Sequence, residues 1–349
     1  MSFLAFFLDL VFAAAIVCCS AGLTGWLVRH PLVHDVPNER SSHRVPTPRG
    51  GGLAIVAGFL LGILLIHLCG DVVPIRSRYF WGFLASLLLV AAVSLYDDVK
   101  TRSPLLKIGT QLIAIAMMMG TGILIDTLHV PWLGLVAAQW WFYPLTLFWL
   151  LGLTNAYNFM DGLDGMAAGT AVIASLFFSV IAFQQGSFFI YFAALALCAA
   201  SLGFLVFNWP PARIFMGDIG STFLGLAFAS LAIVAARDDH AHVSLFVVPL
   251  LLFHFLFDTV FTFLRRLLRG ENVFQAHRTH LYQLLNRLGY SHGKVSLLYA
   301  AMAFAQGLAA LWMVNRLVAN PFLMYLPFLF LHAMYAACVI KRAKQRGIA

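Results

Sequence analysis

Asn155 to Gly165 reads Asn-Ala-Tyr-Asn-Phe-Met-Asp-Gly-Leu-Asp-Gly and stands between two uncharged apolar runs, Trp140 to Leu153 and Met166 to Phe183. Two amides and two acids therefore sit where one apolar segment ends and the next begins. Asn155, Asn158, Asp161 and Asp164 recur every third residue, and on a helix residues three apart are surface neighbours. Gly162 and Gly165 can open a turn and let backbone approach a ligand closely. Asn, Asp and Gly are also the ordinary turn formers, so the stretch alone reads equally as a solvated turn or as a site. The rest of the chain has to decide between the two.

The 349 residues are 62% hydrophobic and 10% charged, whereas a soluble domain carries roughly 25% charged residues. Such a chain cannot cover a water-facing surface, so it reads as an integral membrane protein. Its apolar stretches run close to 20 residues without strand-like alternation, which means helices that satisfy their own backbone hydrogen bonds in lipid. The expectation is an all-α, polytopic helical bundle, residues 1–349 forming one transmembrane domain. The five cysteines lie in or beside apolar segments with no paired or metal-ligand spacing, so neither a disulfide nor a zinc site is implied. Met1 to Val28 lacks a basic leader and a convincing cleavage site and reads as a retained first helix.

Eleven candidate spans follow, at about 3–28, 50–69, 79–96, 105–125, 141–156, 166–184, 187–206, 219–236, 245–264, 295–315 and 321–340. An odd number puts the termini on opposite sides. Of the 22 lysines and arginines, all but Arg76, Arg78, Arg237 and Arg316 fall on one set of loops and the C-terminal tail. Short cytoplasmic loops carry such an excess, which places the N-terminus outside and the C-terminus in the cytoplasm. The net charge of +8 is thus explained by topology rather than by nucleic acid. The cytoplasmic loops become about 29–49, 97–107, 155–165, 207–218 and 265–294.

With that topology Asp97, Asp98, Asp161, Asp164 and Asp218 all converge on the cytoplasmic face. Adjacent carboxylates such as Asp97 and Asp98 repel, and need Lys100, Lys107 or a divalent cation nearby. An all-oxygen ligand set suits Mg²⁺ or Mn²⁺. In Asn208-Trp-Pro-Pro-Ala-Arg-Ile-Phe-Met-Gly-Asp218-Ile-Gly-Ser221, the two prolines stop one span and the glycines open the next with free N–H groups. A helix start of this kind favours anions, and an Asp beside a phosphate implies a bridging metal. Phosphate chemistry is the expectation. Within the ninth stretch, His254 and Asp258 stand four apart and could pair, either to orient the helix or to serve a site.

Four ordered motifs carry a family resemblance: Asp97-Asp98-Val-Lys100, Asn155 to Gly165, Phe215-Met-Gly-Asp218-Ile-Gly220-Ser221 and His277-Arg-Thr-His280. Together they resemble the polyprenyl-phosphate N-acetylhexosamine-1-phosphate transferases. The resemblance implies attack of undecaprenyl phosphate on a UDP-N-acetylhexosamine with Mg²⁺, releasing UMP at a bacterial inner membrane. It implies that Asp218 is a metal ligand with Asp98 beside it, and that Asp97 and Asp98 meet the lipid phosphate, with Asp97 as base. Gly162, Leu163, Asp164 and Phe215 resemble the uracil-binding positions, with Asn158 and Asp161 lining the same pocket; Asp161 also counts among the implied catalytic residues and Asn155 among the substrate-binding ones. His277 and His280 are implied to serve the diphosphate or sugar, and Arg265 lies on the same loop. Asn38 to His43 and Arg49 to Gly52 resemble the first loop of the O-antigen-initiating branch, in which glycines approach the nucleotide and Arg40, His43 and Arg49 meet phosphates.

The peptidoglycan translocases of this superfamily carry three consecutive histidines and are similar to a ten-span arrangement. His277-Arg-Thr-His280, eleven spans and the basic tail Lys341 to Arg346 lean instead toward O-antigen and lipopolysaccharide synthesis. The competing readings are the muramyl-pentapeptide translocase and, in another class, a secondary transporter, whose site would lie at the bilayer midplane between repeated halves. The donor sugar and the oligomeric state, including a homodimer, stay open. A monoalkyl phosphate has a second pKa near about 6, so the acceptor is already ionised at neutral pH. Asp97→Asn is therefore expected to lose more activity below about pH 6 than at about pH 8, and Asp218→Asn to be inactive at both. Equal losses for Asp97→Asn at the two pH values, in a UMP-release assay, would assign Asp97 a role other than base.

Overall fold

The computed structural model describes residues 3–37, 45–68, 77–100, 104–130, 134–137, 139–237, 243–273, 275, 277–316 and 320–348. Arg40 and His43 lie outside the described residues. The chain runs through α1 (Phe3–Arg29), β1 (Val33–Asp35), β2 (Thr47–Arg49), α2 (Gly52–Leu68), α3 (Ser77–Lys100) and α4 (Pro104–Thr121). It continues through β3 (Thr127–Val130), β4 (Gly134–Ala137), α5 (Phe142–Phe159), α6 (Met166–Gln184), α7 (Phe188–Asn208) and α8 (Gly217–Ala236). The last part comprises α9 (Val247–Leu251), α10 (Phe253–Leu268), α11 (Leu281–Arg287), α12 (His292–Asn315), a 3₁₀ turn (Pro321–Met324) and α13 (Tyr325–Gln345).

Each of the eleven apolar stretches falls on helix. Among the described residues, 8 helices are long and apolar enough to cross a membrane. The ninth stretch is not one helix: it breaks at Leu252 (φ −108°, ψ 17°) into α9 and α10. Hydropathy could not show that break, because both pieces are apolar. Two short antiparallel ribbons, β1 with β2 and β3 with β4, correct the all-α expectation. The first of them matters to the site, because it delivers Arg49.

α8 is the central post. Its apolar window is 94% buried, against 11% for α1 and 17% for the segment containing α13, so those two form the rim. In lipid, helices gain little from hydrophobic contrast and associate through close packing of small residues. The chain supplies them: a Cβ on Gly225 of α8 would lie 2.7 Å from Cα of Thr154 in α5, and one on Gly62 of α2 would lie 2.6 Å from Cβ of Ala196 in α7.

α10 is turned inside out. His254, Asp258, Thr262 and Arg266, spaced four apart along one face, are all buried, while Val260, Phe263, Leu264, Leu267 and Leu268 are exposed. A helix facing lipid hides its polar stripe against protein. That inward stripe positions the histidine loop described below.

The glycines of Arg49-Gly-Gly-Gly52 serve backbone packing. Gly51 N donates to Phe215 O (2.9 Å), Gly52 N to Met216 O (2.8 Å), and Phe215 N to Pro48 O (2.8 Å). A Cβ at Gly52 would stand 2.3 Å from Cα of Gly220. These glycines, expected to let backbone approach a nucleotide, let it approach the start of α8 here. Forcing a methyl into such a contact costs about 1–3 kcal/mol or more. Gly52→Ala is expected to lower the melting temperature in detergent. Gly109→Ala, where a Cβ meets nothing within 4 Å, should be neutral or stabilising, since alanine is the better helix former. Equal melting of Gly52→Ala and wild type would contradict the close-packed reading.

Candidate active site

Three distant segments bring their acids together at one end of the bundle. Asp97 and Asp98 end α3, Asp218 begins α8, and Asp161 lies in the turn after α5. Asp97 and Asp98 are 7% and 5% exposed, so their charges need partners. Lys107, in the first turns of α4, places Nζ 2.7 Å from Asp97 Oδ2 and in close contact with Asp218 Oδ2. Arg49 reaches in from β2, with Nη2 2.9 Å from Asp98 Oδ1 and 3.2 Å from Asp218 Oδ1. Asn158 donates through Nδ2 to Asp218 Oδ1 (3.2 Å) and to Ser221 Oγ (2.8 Å).

The start of α8 does attract an anion, and the protein supplies it. Asp98 accepts from Asp218 N (3.1 Å) and Ile219 N (3.0 Å), satisfying two amides that have no intrahelical partner. Gly217 has φ +76°, and a Cβ there would fall 2.7 Å from Asp98 Oδ2, so glycine makes room for this cap. Asp98, expected as a metal ligand, acts here as a brace that holds Asp218 in place. Lys100, expected to neutralise the acids, sits at the exposed end of α3, and it is Lys107 that bridges Asp97 and Asp218.

The every-third-residue pattern is helical only as far as Phe159, where α5 ends. Asn155 turns to α4, donating to Gln111 Oε1 (2.8 Å). Asn158 joins the carboxylates, and Asp161 follows in the turn. Burial pushes the Asp161 carboxyl up to about 7; the Asp218 carboxylate adds to the shift and Arg49 offsets part of it. Asp164 faces elsewhere: Oδ1 lies 3.0 Å from His292 Nδ1 of α12, and Oδ2 accepts from Ala212 N (3.1 Å). Burial works against its charge, but His292 and the Ala212 amide hold it below the usual carboxylate range.

Of the positions expected at uracil, Leu163 is in the core at 5% exposure. Gly162 packs under the Tyr282 hydroxyl, where a Cβ would come within 2.1 Å. Phe215 is half-buried and bridges to Arg49. The structure therefore gives Gly162, Leu163 and Asp164 contacts that fold the loop. Asn208, not selected from sequence, staples it by accepting from Gly165 N (3.0 Å) and donating to Ile214 O (2.9 Å). Its place before the Pro210-Pro211 pair was the only signal.

His277 and His280 stand on the loop before α11, ring centroids 5.0 Å apart. His280 packs toward Phe159 at the end of α5 (6.1 Å), and Tyr282 donates to Phe159 O (2.9 Å), which seats this loop beside the Asp161 turn. Burial, with the charges of His280 and Arg266, pushes His277 down to about 4, so it is neutral at pH 7. His254 and Asp258 do not pair. His254 Nδ1 meets Gln306 Oε1 at 2.7 Å. Asp258, 1% exposed, accepts from Leu281 N (2.9 Å), Tyr282 N (3.2 Å) and Tyr299 Oη (2.7 Å) and lies 3.2 Å from His280 Nδ1. It caps α11 and holds the Nδ1 proton of His280, leaving Nε2 for chemistry. An acid inside an apolar stretch signalled Asp258; its partner could not be read. Arg265 donates to Thr279 O (2.5 Å), behind the histidines. Arg266 secures the same loop through Glu271 Oε2 (2.8 Å) and Asn272 O (2.7 Å).

Asp218 offers both oxygens to cations, the donor set is all-oxygen, and among the described residues four carboxylates are near two positive charges. Such an excess suits a dication. Among the described residues no group of three or more His, Cys, Asp or Glu side chains is arranged to cage a metal. Magnesium needs no cage, since one or two carboxylates suffice where water and substrate phosphate complete its shell.

Residues 80–236 match the family model described as glycosyl transferase family 4. The chain is similar to a Bacillus subtilis protein named "Probable undecaprenyl-phosphate N-acetylglucosaminyl 1-phosphate transferase", 34% identical over 79% of this chain and 76% of that one. It is also similar to "Decaprenyl-phosphate N-acetylglucosaminephosphotransferase" of Mycobacterium leprae, 32% identical over 88% and 83% of the two chains. A "Phospho-N-acetylmuramoyl-pentapeptide-transferase" of Latilactobacillus sakei matches at 39% identity over only 32% of this chain and 35% of its own.

Asp258→Asn is expected to loosen α11. Amide exchange at Leu281 and Tyr282 should rise about tenfold or more, as loss of a charge-assisted hydrogen bond implies. In nitrogen-15 NMR, the His280 tautomer protonated at Nε2 should gain population. Unchanged exchange and an unchanged tautomer would show that Asp258 does not hold this loop.

Proposed function

Because this chain belongs to glycosyl transferase family 4, the polyprenyl-phosphate sugar-1-phosphate transferases, we propose that it transfers N-acetylglucosamine 1-phosphate from UDP-N-acetylglucosamine to undecaprenyl phosphate. The observation that carries this reading is the gathering of Asp97, Asp98 and Asp218 around Lys107 and Arg49, with Asp161 in electrostatic range, at one end of an apolar bundle. The sugar comes from the names of the relatives, which specify N-acetylglucosamine. Those names carry no O-antigen, so initiation of O-antigen or lipopolysaccharide remains a proposal from the sequence motifs alone. Eleven crossings, an outer N-terminus and a cytoplasmic site at the inner membrane belong to the same proposal, supported by the distribution of lysine and arginine.

In the reaction an oxygen of the acceptor phosphate forms a bond to the sugar-bearing phosphorus of the donor. The bond from that phosphorus to the UMP oxygen breaks, and its electron pair leaves with UMP. Both substrates are anions, so the main obstacle is their approach, and most of catalysis is positioning and charge stabilisation. Lys107 and Arg49 are the cations placed to relieve it. Asp97, on Lys107, can take a proton from the acceptor when it arrives singly ionised. His277, neutral, can donate through one ring nitrogen while the other accepts from Thr279 Oγ1 (3.0 Å). Asp218, braced by Asp98 and Asn158, is the residue that would hold Mg²⁺ or Mn²⁺. When bound, the ion would neutralise charge on the bridging diphosphate.

A second reading, the muramyl-pentapeptide translocase, is favoured only by matches to such proteins that cover 32% to 55% of this chain. A transporter is disfavoured by the position of the acids at one end of the bundle rather than midway along it. The test uses purified protein with undecaprenyl phosphate, Mg²⁺ and a panel of UDP-sugars. UMP should appear only when lipid phosphate, donor and metal are all present, with UDP-N-acetylglucosamine preferred. Preference for UDP-MurNAc-pentapeptide would select the translocase. Donor uptake into sealed vesicles without UMP release would select transport.

A further inference from the structure

A groove of about 670 Å³ runs between α10 and α13 on the rim of the bundle. Its floor is apolar: Phe257 and Phe261 from α10, their rings stacked at 5.8 Å, face Ala333 and Ala337 of α13. At one end the lining changes to Arg265, Arg269, Lys341 and Lys344, with no acid among the lining residues. Both helices continue their groove-facing stripe at four-residue spacing, from Phe257 and Phe261 to Arg265 and Arg269, and from Ala333 and Ala337 to Lys341. The nearest acid in ion-pair range is Glu271, 3.9 Å from Arg269 Nη1. An apolar channel ending in four cations is complementary to a molecule with an apolar tail and an anionic head.

Arg265 supplies the second observation. Its Nη2 donates to Thr279 O, but its Nε and Nη1 are buried without a hydrogen-bond partner. Leaving such donors unpaired costs about 1–3 kcal/mol or more for a charged group. The guanidinium lies over the Phe261 ring (6.0 Å), at the mouth of the groove. A phosphate at that mouth would meet these nitrogens once the guanidinium plane turns toward it.

We infer that this groove binds one acidic membrane phospholipid, its phosphate on the Arg265, Arg269, Lys341 and Lys344 collar and an acyl chain along Phe257 and Phe261. The occupant is distinct from the reacting lipid, because none of Asp97, Lys107, Asp161 or Asp218 lines the groove. The bound phosphate completes the hydrogen bonding of Arg265, which in turn holds Thr279 between His277 and His280. The lipid thus acts as a structural ligand of the histidine loop.

The test reads binding, so it stands whether or not the transfer reaction is as proposed. Wild type and the Lys341→Gln/Lys344→Gln double variant are placed in nanodiscs of phosphatidylcholine with rising phosphatidylglycerol, and retained lipid is counted by native mass spectrometry. Wild type should keep one phosphatidylglycerol in preference to phosphatidylcholine. The double variant should bind it about 30-fold more weakly, at about fivefold for each surface cation. Phosphatidylglycerol should also slow amide exchange at Thr279 to Leu281 in wild type, and not in the variant. Equal retention of the two lipids, or equal behaviour of the two proteins, would overturn the inference. One-for-one displacement by undecaprenyl phosphate would hand the groove to the acceptor, and equal protection by inorganic phosphate would remove the acyl chain from the site.

Discussion

Four carboxylates share a largely buried corner of the bundle with, among the described residues, two cations in contact with them, and the arrangement around them follows from that imbalance. Arg49 and Lys107 each touch two of the acids, so moving either would leave a buried charge uncompensated, the most expensive fault a protein interior can have. Asp98 is further tied down by two amides at the start of α8. The remaining negative charge shows in Asp161, whose carboxyl is pushed up to about 7 by burial and by Asp218. This excess of negative charge among the described residues suits the proposed pairing of an anionic donor with an anionic acceptor in the company of a divalent cation.

The scaffold explains why the corner can be rigid. α8 is almost wholly buried and offers its first turn to the site, while the Arg49 to Gly52 segment is laced to residues 215 and 216 by backbone hydrogen bonds. Glycines at 52, 217 and 220 permit that approach, so backbone contact sets the frame on which Arg49 and Lys107 reach the acids. A second brace is built on α10, whose inward polar stripe ends in Arg266 gripping the histidine loop, while Arg265 on the neighbouring face donates to Thr279 O. Asp258 sits within that stripe as both helix cap and partner to His280. The groove on the outer side of α10 ends at Arg265, so the inferred lipid would be linked to the histidine loop through that single arginine.

Much of this was legible in the sequence. Apolar runs of helical length gave the bundle, and each run does fall on helix. Asp97, Asp98, Asp161, Asp164 and Asp218 were expected to converge; the first three and Asp218 lie together, whereas Asp164 turns to His292 and the Ala212 amide. Lys107 and Arg49 were among the residues expected nearby, because both lie on the loops that topology assigns to the same end. Less legible were partner choices within that end. Asp164 pairs with His292, Asn155 with Gln111, and His254 with Gln306, each across elements far apart in the chain.

The sequence by itself determined the solvent this protein lives in and which residue types gather at one end of it, because hydropathy and the placement of charge are properties of composition along the chain. Only the tertiary structure decided that Asp98 caps a helix while Asp218 faces the cations, that α9 and α10 are two pieces, and that Asp258 serves His280. Those outcomes depend on backbone approach and on competition among donors for a few buried carboxylate oxygens, and neither leaves a periodic signature in the sequence.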